Sequence, residues 1–210
     1  MKKRDDMTTG INFLLAGVGG QGTLLASDVL ANVGLAGGYQ VKQAEVHGMS
    51  QRGGSVTSYV RWGEVVYSPI VGAGEVDVLL AFEKVEALRN LKQLRPEALA
   101  LINMEAIEPL TVTSGGQSYP TDDHLMSRIE KVTKNAIYLE GTEMGRALGN
   151  PRVSNVVLLG ALSRLLEIYH LTVEELSSEI WQGVMIKRVP ESHIELNRRA
   201  FLAGREAVCL

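Results

Sequence analysis

Cysteine is nearly absent: the 210 residues hold one, Cys209, beside the C-terminal residue. No disulfide can close within the chain. A cysteine-ligated iron–sulfur cluster takes about four thiolates, so none can be built from this chain alone. The same shortage excludes a zinc ribbon. With no disulfide framework, a cytoplasmic location is the expectation. Long apolar runs are missing too. Crossing a membrane takes about 20 apolar residues, and every apolar stretch here is shorter or interrupted, so no membrane partner is expected. The start, Met-Lys-Lys-Arg-Asp-Asp, brings acids where a signal peptide would bring its apolar segment. There is no long run of either charge, and the net charge is −3. That leaves no basic face for nucleic acid, but it leaves room for a small anion held by local geometry. A P-loop lysine, a metal-ligand cluster and a Ser-His-Asp arrangement in recognisable context are all lacking.

The chain does have enough apolar residues, 45%, to bury a sizeable core. They gather first at Phe13-Leu-Leu-Ala-Gly-Val-Gly-Gly-Gln-Gly-Thr-Leu-Leu-Ala-Ser27. An apolar run meets a glycine cluster, and the cluster opens a helical pattern. Gly17, Gly19 and Gly22 match G-x-G-x-x-G, the spacing that lets backbone N–H groups approach a phosphate at a helix N-terminus. A tight strand-to-helix turn with close packing would need the same glycines. The dinucleotide version wants an acid about 20 residues on, at the end of the second strand. Lys42 and Gln43 stand there, and Glu45 comes late.

Further along, residues 39–46 alternate as a strand, with Gln43, Glu45 and His47 on one face. A second glycine loop follows, His47-Gly-Met-Ser-Gln-Arg-Gly-Gly-Ser55. Its consecutive N–H groups suit an anion nest with Arg52 as countercharge, or simply a loop feeding a hairpin. Residues 55–62 read as a strand, with a turn at Gly63-Glu64 into a partner strand over 65–67. His47 is a weak acid–base candidate, since no nucleophile or carboxylate is paired with it locally. His124, His170 and His193 sit on helices without partners at metal spacing.

Buried strands are expected over 77–82, 98–103 and 136–139, a short one over 110–113, and a turn at Gly115-Gly116. Helices are expected over 20–35, 83–94, 121–134 (Thr121 as N-cap), 153–168 and 192–207, and from a Thr172/Glu175 capping box to about 182. Asn150-Pro151 opens the 153–168 helix, which is apolar nearly all round and so buried in the subunit or against a partner. The sum is α/β: a Rossmann-like, mostly parallel sheet flanked by helices, with a β-hairpin and a helical C-terminal third. It forms a single domain over 1–210, with 1–10 as a mobile tail.

The run Gly17-Val-Gly-Gly-Gln-Gly22, with Glu45-Val-His-Gly-Met-Ser-Gln-Arg-Gly-Gly-Ser55 and Val60-Arg61, resembles the gamma-type domain of the 2-oxoacid:ferredoxin oxidoreductases. So do Gly149-Asn-Pro-Arg-Val-Ser-Asn-Val-Val-Leu-Leu-Gly-Ala-Leu162, Val189-Pro190, Ile194-Glu-Leu-Asn197 and Ala200-Phe-Leu-Ala-Gly204. The likeness runs over nearly the whole chain and is strongest toward the indolepyruvate branch of that family. Its most specific part is the loop 50–55.

The resemblance implies an enzyme subunit, inactive alone. The reaction it implies is coenzyme A-dependent oxidative decarboxylation of a 2-oxoacid, with electrons passed to ferredoxin. Thiamine diphosphate and iron–sulfur clusters are then expected on a large partner subunit, because this chain has neither a Gly-Asp-Gly motif nor a cysteine array. Ferredoxin is reached through that subunit, and self-association of the isolated chain is possible. Indolepyruvate is the favoured substrate; pyruvate, branched-chain 2-oxoacids and 2-oxoglutarate are the alternatives. Gly17, Gly19, Gly20, Gln21, Gly22, Ser50, Gln51, Arg52, Gly53, Gly54 and Ser55 are the candidate cofactor-facing residues, with coenzyme A or the substrate carboxylate as the ligand. Two readings from other classes stay open: a stand-alone nucleotide-binding dehydrogenase, and a non-catalytic assembly module.

Overall fold

The computed structural model describes residues 10–47, 54–108, 118–172 and 176–208. Six strands form one sheet: β1 (Gly10–Val18), β2 (Gln40–His47), β3 (Ser55–Gly63), β4 (Val76–Ala81), β5 (Leu94–Asn103) and β6 (Ala136–Leu139), in the order β2-β3-β1-β4-β5-β6. The strands β1, β4, β5 and β6 run parallel. β3 is antiparallel to both β1 and β2, so β3 alone runs against the other five.

Seven α-helices lie among the described residues: α1 (Thr23–Ala36), α2 (Lys84–Asn90), α3 (Asp122–Glu130), α4 (Gly141–Ala147), α5 (Ser154–Ile168), α6 (Ser178–Ile186) and α7 (Ile194–Glu206). None of the helices is long and apolar enough to cross a membrane.

Strand alternation divides the apolar residues between two cores. Ile11, Phe13 and Leu15 of β1, Val60 and Trp62 of β3 and Leu99 and Leu101 of β5 point to one face. There they meet α1, α5, α6 and α7. Leu14, Ala16, Leu79, Ala100 and Ile102 point to the other face, toward Ala87 of α2 and Leu125 and Ile129 of α3. The sheet is therefore filled on both faces at its parallel half, as its nearly unbroken apolar strands require. Thr121 caps α3 as expected, its Oγ1 accepting from His124 N–H at 3.3 Å.

The apolar helix α5 is interior to the subunit. Twelve of its fifteen residues are buried, and it lies against α7 at backbone distance. A Cβ at Gly204 would stand 1.9 Å from the Val157 carbonyl oxygen, and one at Gly160 would stand 1.9 Å from that of Phe201. No side chain fits at either crossing point.

The hairpin differs from expectation. β3 does not turn at Gly63-Glu64 into a strand over 65–67. It is already paired on both sides, so no free edge remains for a third partner. The hairpin is β2–β3, closed by the second glycine loop. Residues 64–75 form an irregular strap instead. Val66 N–H donates to Gln40 Oε1 at 3.1 Å, and the Arg61 guanidinium donates to the carbonyls of Ser68 and Ile70 at 3.0 and 2.9 Å.

Gly10 belongs to β1 rather than to a tail. α6 starts at Ser178 with Ser177 at its N-cap, so Thr172 does not cap it. Residues 1–9, the strand expected at 110–113, the turn at Gly115-Gly116, Glu175 and Cys209 lie outside the described residues.

Candidate functional site

The first glycine loop sits between the carboxyl end of β1 and the start of α1, at the edge where ligands gather in α/β sheets. Its glycines are required for three different reasons. A Cβ at Gly17 would lie 2.9 Å from both Gln21 Oε1 and Thr23 Oγ1, so that position is closed by packing. Gly20, with φ of 108°, faces open space. Gly22, with φ of 79°, is the left-handed N-cap of α1, and a Cβ there would meet Asn155 Nδ2 at 2.3 Å.

Gln21 braces this loop from beneath. Its Oε1 accepts from Val18 N–H at 2.7 Å, and its Nε2 donates to the Phe82 carbonyl and to Glu105 Oε2, both at 2.9 Å. Glu105 also accepts from Thr142 Oγ1 at 2.9 Å. Buried Asn103, ending β5, donates to the Phe82 carbonyl and to Thr142 Oγ1, each at 3.0 Å. One amide thus ties the loop to the carboxyl ends of β4 and β5 and to the first turn of α4. The Gln21 side chain is committed to that brace.

The second loop reaches the same place. Gly19 N–H donates to the Gly54 carbonyl at 3.0 Å, joining the two glycine loops directly. At the next residue, Ser55 Oγ donates to Glu86 Oε2 at 2.5 Å. Glu86 is 1% exposed and is held by Arg89. Glu83, equally buried, accepts from Glu86 N–H at 2.9 Å, from Ile107 N–H at 3.3 Å and from the Tyr119 hydroxyl. Burial, and then that bond to a carboxylate, push the Tyr119 phenol far above its ordinary range. The exit of the second loop is therefore anchored on two sides.

Ser50, Gln51, Arg52, Gly53 and the side chain of His47 lie outside the described residues. The His47 backbone closes β2 opposite Val56. His124, His170 and His193 are exposed. Among the described residues, no three of His, Cys, Asp and Glu gather in a way that would hold a metal ion.

Two hollows meet at the first loop. One of about 430 Å³ is walled by Val18, Thr23, Leu24 and Val56. The other, about 590 Å³, lies between the loop and the turn that opens α5, with Arg146, Arg152, Ser154 and Asn155 on its far wall. The 14 residues of α1 begin here with no acid in the first turn, so a positive helix end faces the hollows unneutralised.

This geometry disfavours a nicotinamide site. There, the strand beside β1 supplies the ribose-binding acid. Here that place is taken by β3, running the opposite way, and β2 with Glu45 is one strand further out.

The protein-family model described as pyruvate ferredoxin/flavodoxin oxidoreductase matches residues 12–207. The chain belongs to that family. Among relatives, it is 40% identical over 197 residues to indolepyruvate oxidoreductase subunit IorB of Thermococcus kodakarensis, covering 93% of this chain and 95% of that one.

Two solved structures share the fold. The keto/oxoacid ferredoxin oxidoreductase gamma subunit of Geobacter sulfurreducens PCA has a TM-score of 0.66 at 24% identity, covering 93% of this chain and 96% of that one. The 2-oxoglutarate:ferredoxin oxidoreductase of Magnetococcus marinus, solved with 2-oxoglutarate, coenzyme A and succinyl-CoA bound, has a TM-score of 0.67 at 20% identity. The match covers 94% of this chain and 31% of that one. In this family the α/β subunit is one part of an oxidoreductase acting on oxo groups.

The brace residues Asn103, Glu105 and Thr142, and the anchors Glu83 and Glu86, were not among the residues singled out from the sequence. One signal was available: Asn103 and Glu105 are polar residues ending an apolar strand, at the sheet edge where α/β ligand sites form. Asn155 and Arg152 lay in the Gly149–Leu162 segment but had no role attached to them.

Proposed function

We propose that this chain is the non-thiamine subunit of an indolepyruvate:ferredoxin oxidoreductase. It supports coenzyme A-dependent oxidative decarboxylation of indolepyruvate or related aryl pyruvates, with ferredoxin as the electron acceptor. The observation that carries this reading is the Gly19–Gly54 bond, which brings the exit of the second glycine loop against the first loop at the sheet edge. The named relative supports the substrate, and the coenzyme A-bound neighbour supports the ligand.

A single cysteine cannot hold an iron–sulfur cluster, and in this reading the clusters and thiamine diphosphate sit on the large subunit. When bound there, those groups activate the keto carbon and carry electrons away. The contribution of this chain is to bind and orient. The N–H groups of the rim and the positive end of α1 suit the phosphates of coenzyme A. Arg52, two residues before Gly54 in the sequence, is the countercharge in this reading. The Gln21 brace holds the first loop and the Ser55–Glu86 bond holds the exit of the second, so these parts need little ordering on binding.

The large subunit docks at the rim and on the face of the β2–β3 end that α1 leaves uncovered, beside which Val46, Val65, Tyr67 and Ile70 stand exposed. The isolated chain, as a soluble cytoplasmic subunit, is expected to show no 2-oxoacid oxidation. Activity is expected to return when it is mixed with the thiamine- and cluster-bearing subunit, and to require coenzyme A. Turnover by the isolated chain with NAD would overturn the reading.

A further inference from the structure

Glu83 and Glu86, at the start of α2, are each 1% exposed, and between them they hold two sides of the candidate site. Glu83 is the N-cap of α2 and accepts from Glu86 N–H at 2.9 Å. Its other oxygen accepts from Ile107 N–H at 3.3 Å, and Ile107 lines the second hollow. Glu86, pinned in that turn by its own N–H, gives one carboxylate oxygen to Arg89 and the other to the Ser55 hydroxyl, at 2.5 Å.

The stretch that Glu86 reaches has little of its own to fix it. Gly53-Gly54 precedes Ser55, and glycine restricts its own backbone less than any other residue. Yet the Gly54 carbonyl is the acceptor for Gly19 N–H, at 3.0 Å. Ser55 is the first residue after the glycine pair to carry a side chain, and its one hydroxyl hydrogen goes inward to Glu86. The Arg89 side chain is half exposed. An i,i+3 ion pair serves a helix equally well at its surface, whereas a buried carboxylate carries a desolvation cost. What burial adds here is the reach from α2 to the loop.

We infer that Glu86 is a positioning residue: acting through Ser55, its carboxylate sets the Gly54 carbonyl against Gly19 and so fixes how the second glycine loop meets the first. Resting on the coenzyme A reading above, what it controls is the affinity for coenzyme A and not the chemical step.

The kinetic test uses the complex with the large subunit and the variants Ser55→Ala, Glu86→Gln and the two combined. Ser55→Ala is expected to raise the KM for coenzyme A about tenfold, the worth of one hydrogen bond to a charged group. The kcat at saturating coenzyme A and the KM for the 2-oxoacid hold. Glu86→Gln keeps the side-chain volume, and its amide still donates to the Ser55 oxygen, so its rise is smaller. In the Ser55→Ala background it adds nothing, because the two residues act as one contact. A silent Ser55→Ala, a fall in kcat at constant KM, or additive effects would overturn the inference. So would a KM lowered by Glu86→Gln, which would mean that the carboxylate acts on an anionic ligand by its charge.

Amide hydrogen exchange of the isolated chain reads the same contact without turnover. Ser55→Ala is expected to speed exchange at Gly19 about tenfold by freeing a local opening, while Leu79 and Leu80 in β4 keep their rates. Unchanged exchange at Gly19, or equal acceleration in β4, would overturn the inference. If Gly19 is released but the wild-type complex turns over without coenzyme A, the positioning role stands and the coenzyme reading fails. If coenzyme A is required and Gly19 keeps its protection, the coenzyme reading stands and the positioning role fails.

Discussion

The two ends of the sheet are built to different standards of completeness. At the parallel end, β1, β4, β5 and β6 are covered on both faces, and their side chains fill two cores. At the antiparallel end, β2 and β3 are covered by α1 on one face, where Gln43 donates to Ser27 Oγ at 2.9 Å and Trp62 stacks near Tyr39 and Phe13. On the other face, Tyr59 leans on the second core, while Lys42 and Val46 stand exposed. The strap 64–75 adds Tyr67, 93% exposed, and Ile70, 74% exposed, beside that open end. Under the proposed function, this open end is where the surface of the large subunit completes the chain. The candidate rim lies on the seam between the two ends, since Gly19 leaves β1 and Gly54 leads into β3.

The comparison breaks most sharply at the closed end. Gly204→Ala puts a methyl group where the Val157 carbonyl stands, and backbone on both helices resists yielding. A loss of about 3 kcal/mol or more is expected, read as a fall in the thermal midpoint of the isolated chain. A midpoint within experimental scatter of wild type would mean that the α5–α7 crossing is looser than described.

At the seam the expected effect is smaller. Gln21→Leu leaves Val18 N–H, the Phe82 carbonyl and Glu105 each short of a partner. Partly buried orphans of this kind cost about 1–3 kcal/mol. The reconstituted complex is expected to show a raised KM for coenzyme A even where the fold survives. Unchanged kinetics with a lowered midpoint would make Gln21 a stability residue only.

Much of this was readable from residue order. The nearly continuous apolar strands at 11–16, 77–82 and 98–103 announced a sheet covered on both faces, and the glycine cluster after the first of them placed the rim. Thr121 and Asn150 announced their helix starts through capping chemistry. What failed was pairing. Gly63-Glu64 has a plausible turn composition, but β3 is taken on both edges by β1 and β2, which is a tertiary fact that no local signal carries. The brace was hidden for the same reason: Gln21 and Glu105 are 84 residues apart in the chain and meet only once the sheet has brought the ends of β1, β4 and β5 together.

The central claim is that the open end and the rim together receive the catalytic subunit. Hydrogen exchange of the chain alone and in the reconstituted complex tests it directly. Protection is expected to rise over β2, β3, the strap 64–75 and residues 19–22, while α3 (Asp122–Glu130), on the far side of the closed end, keeps its exchange rates. Protection concentrated on α3, with β2 and the strap unchanged, would contradict the account.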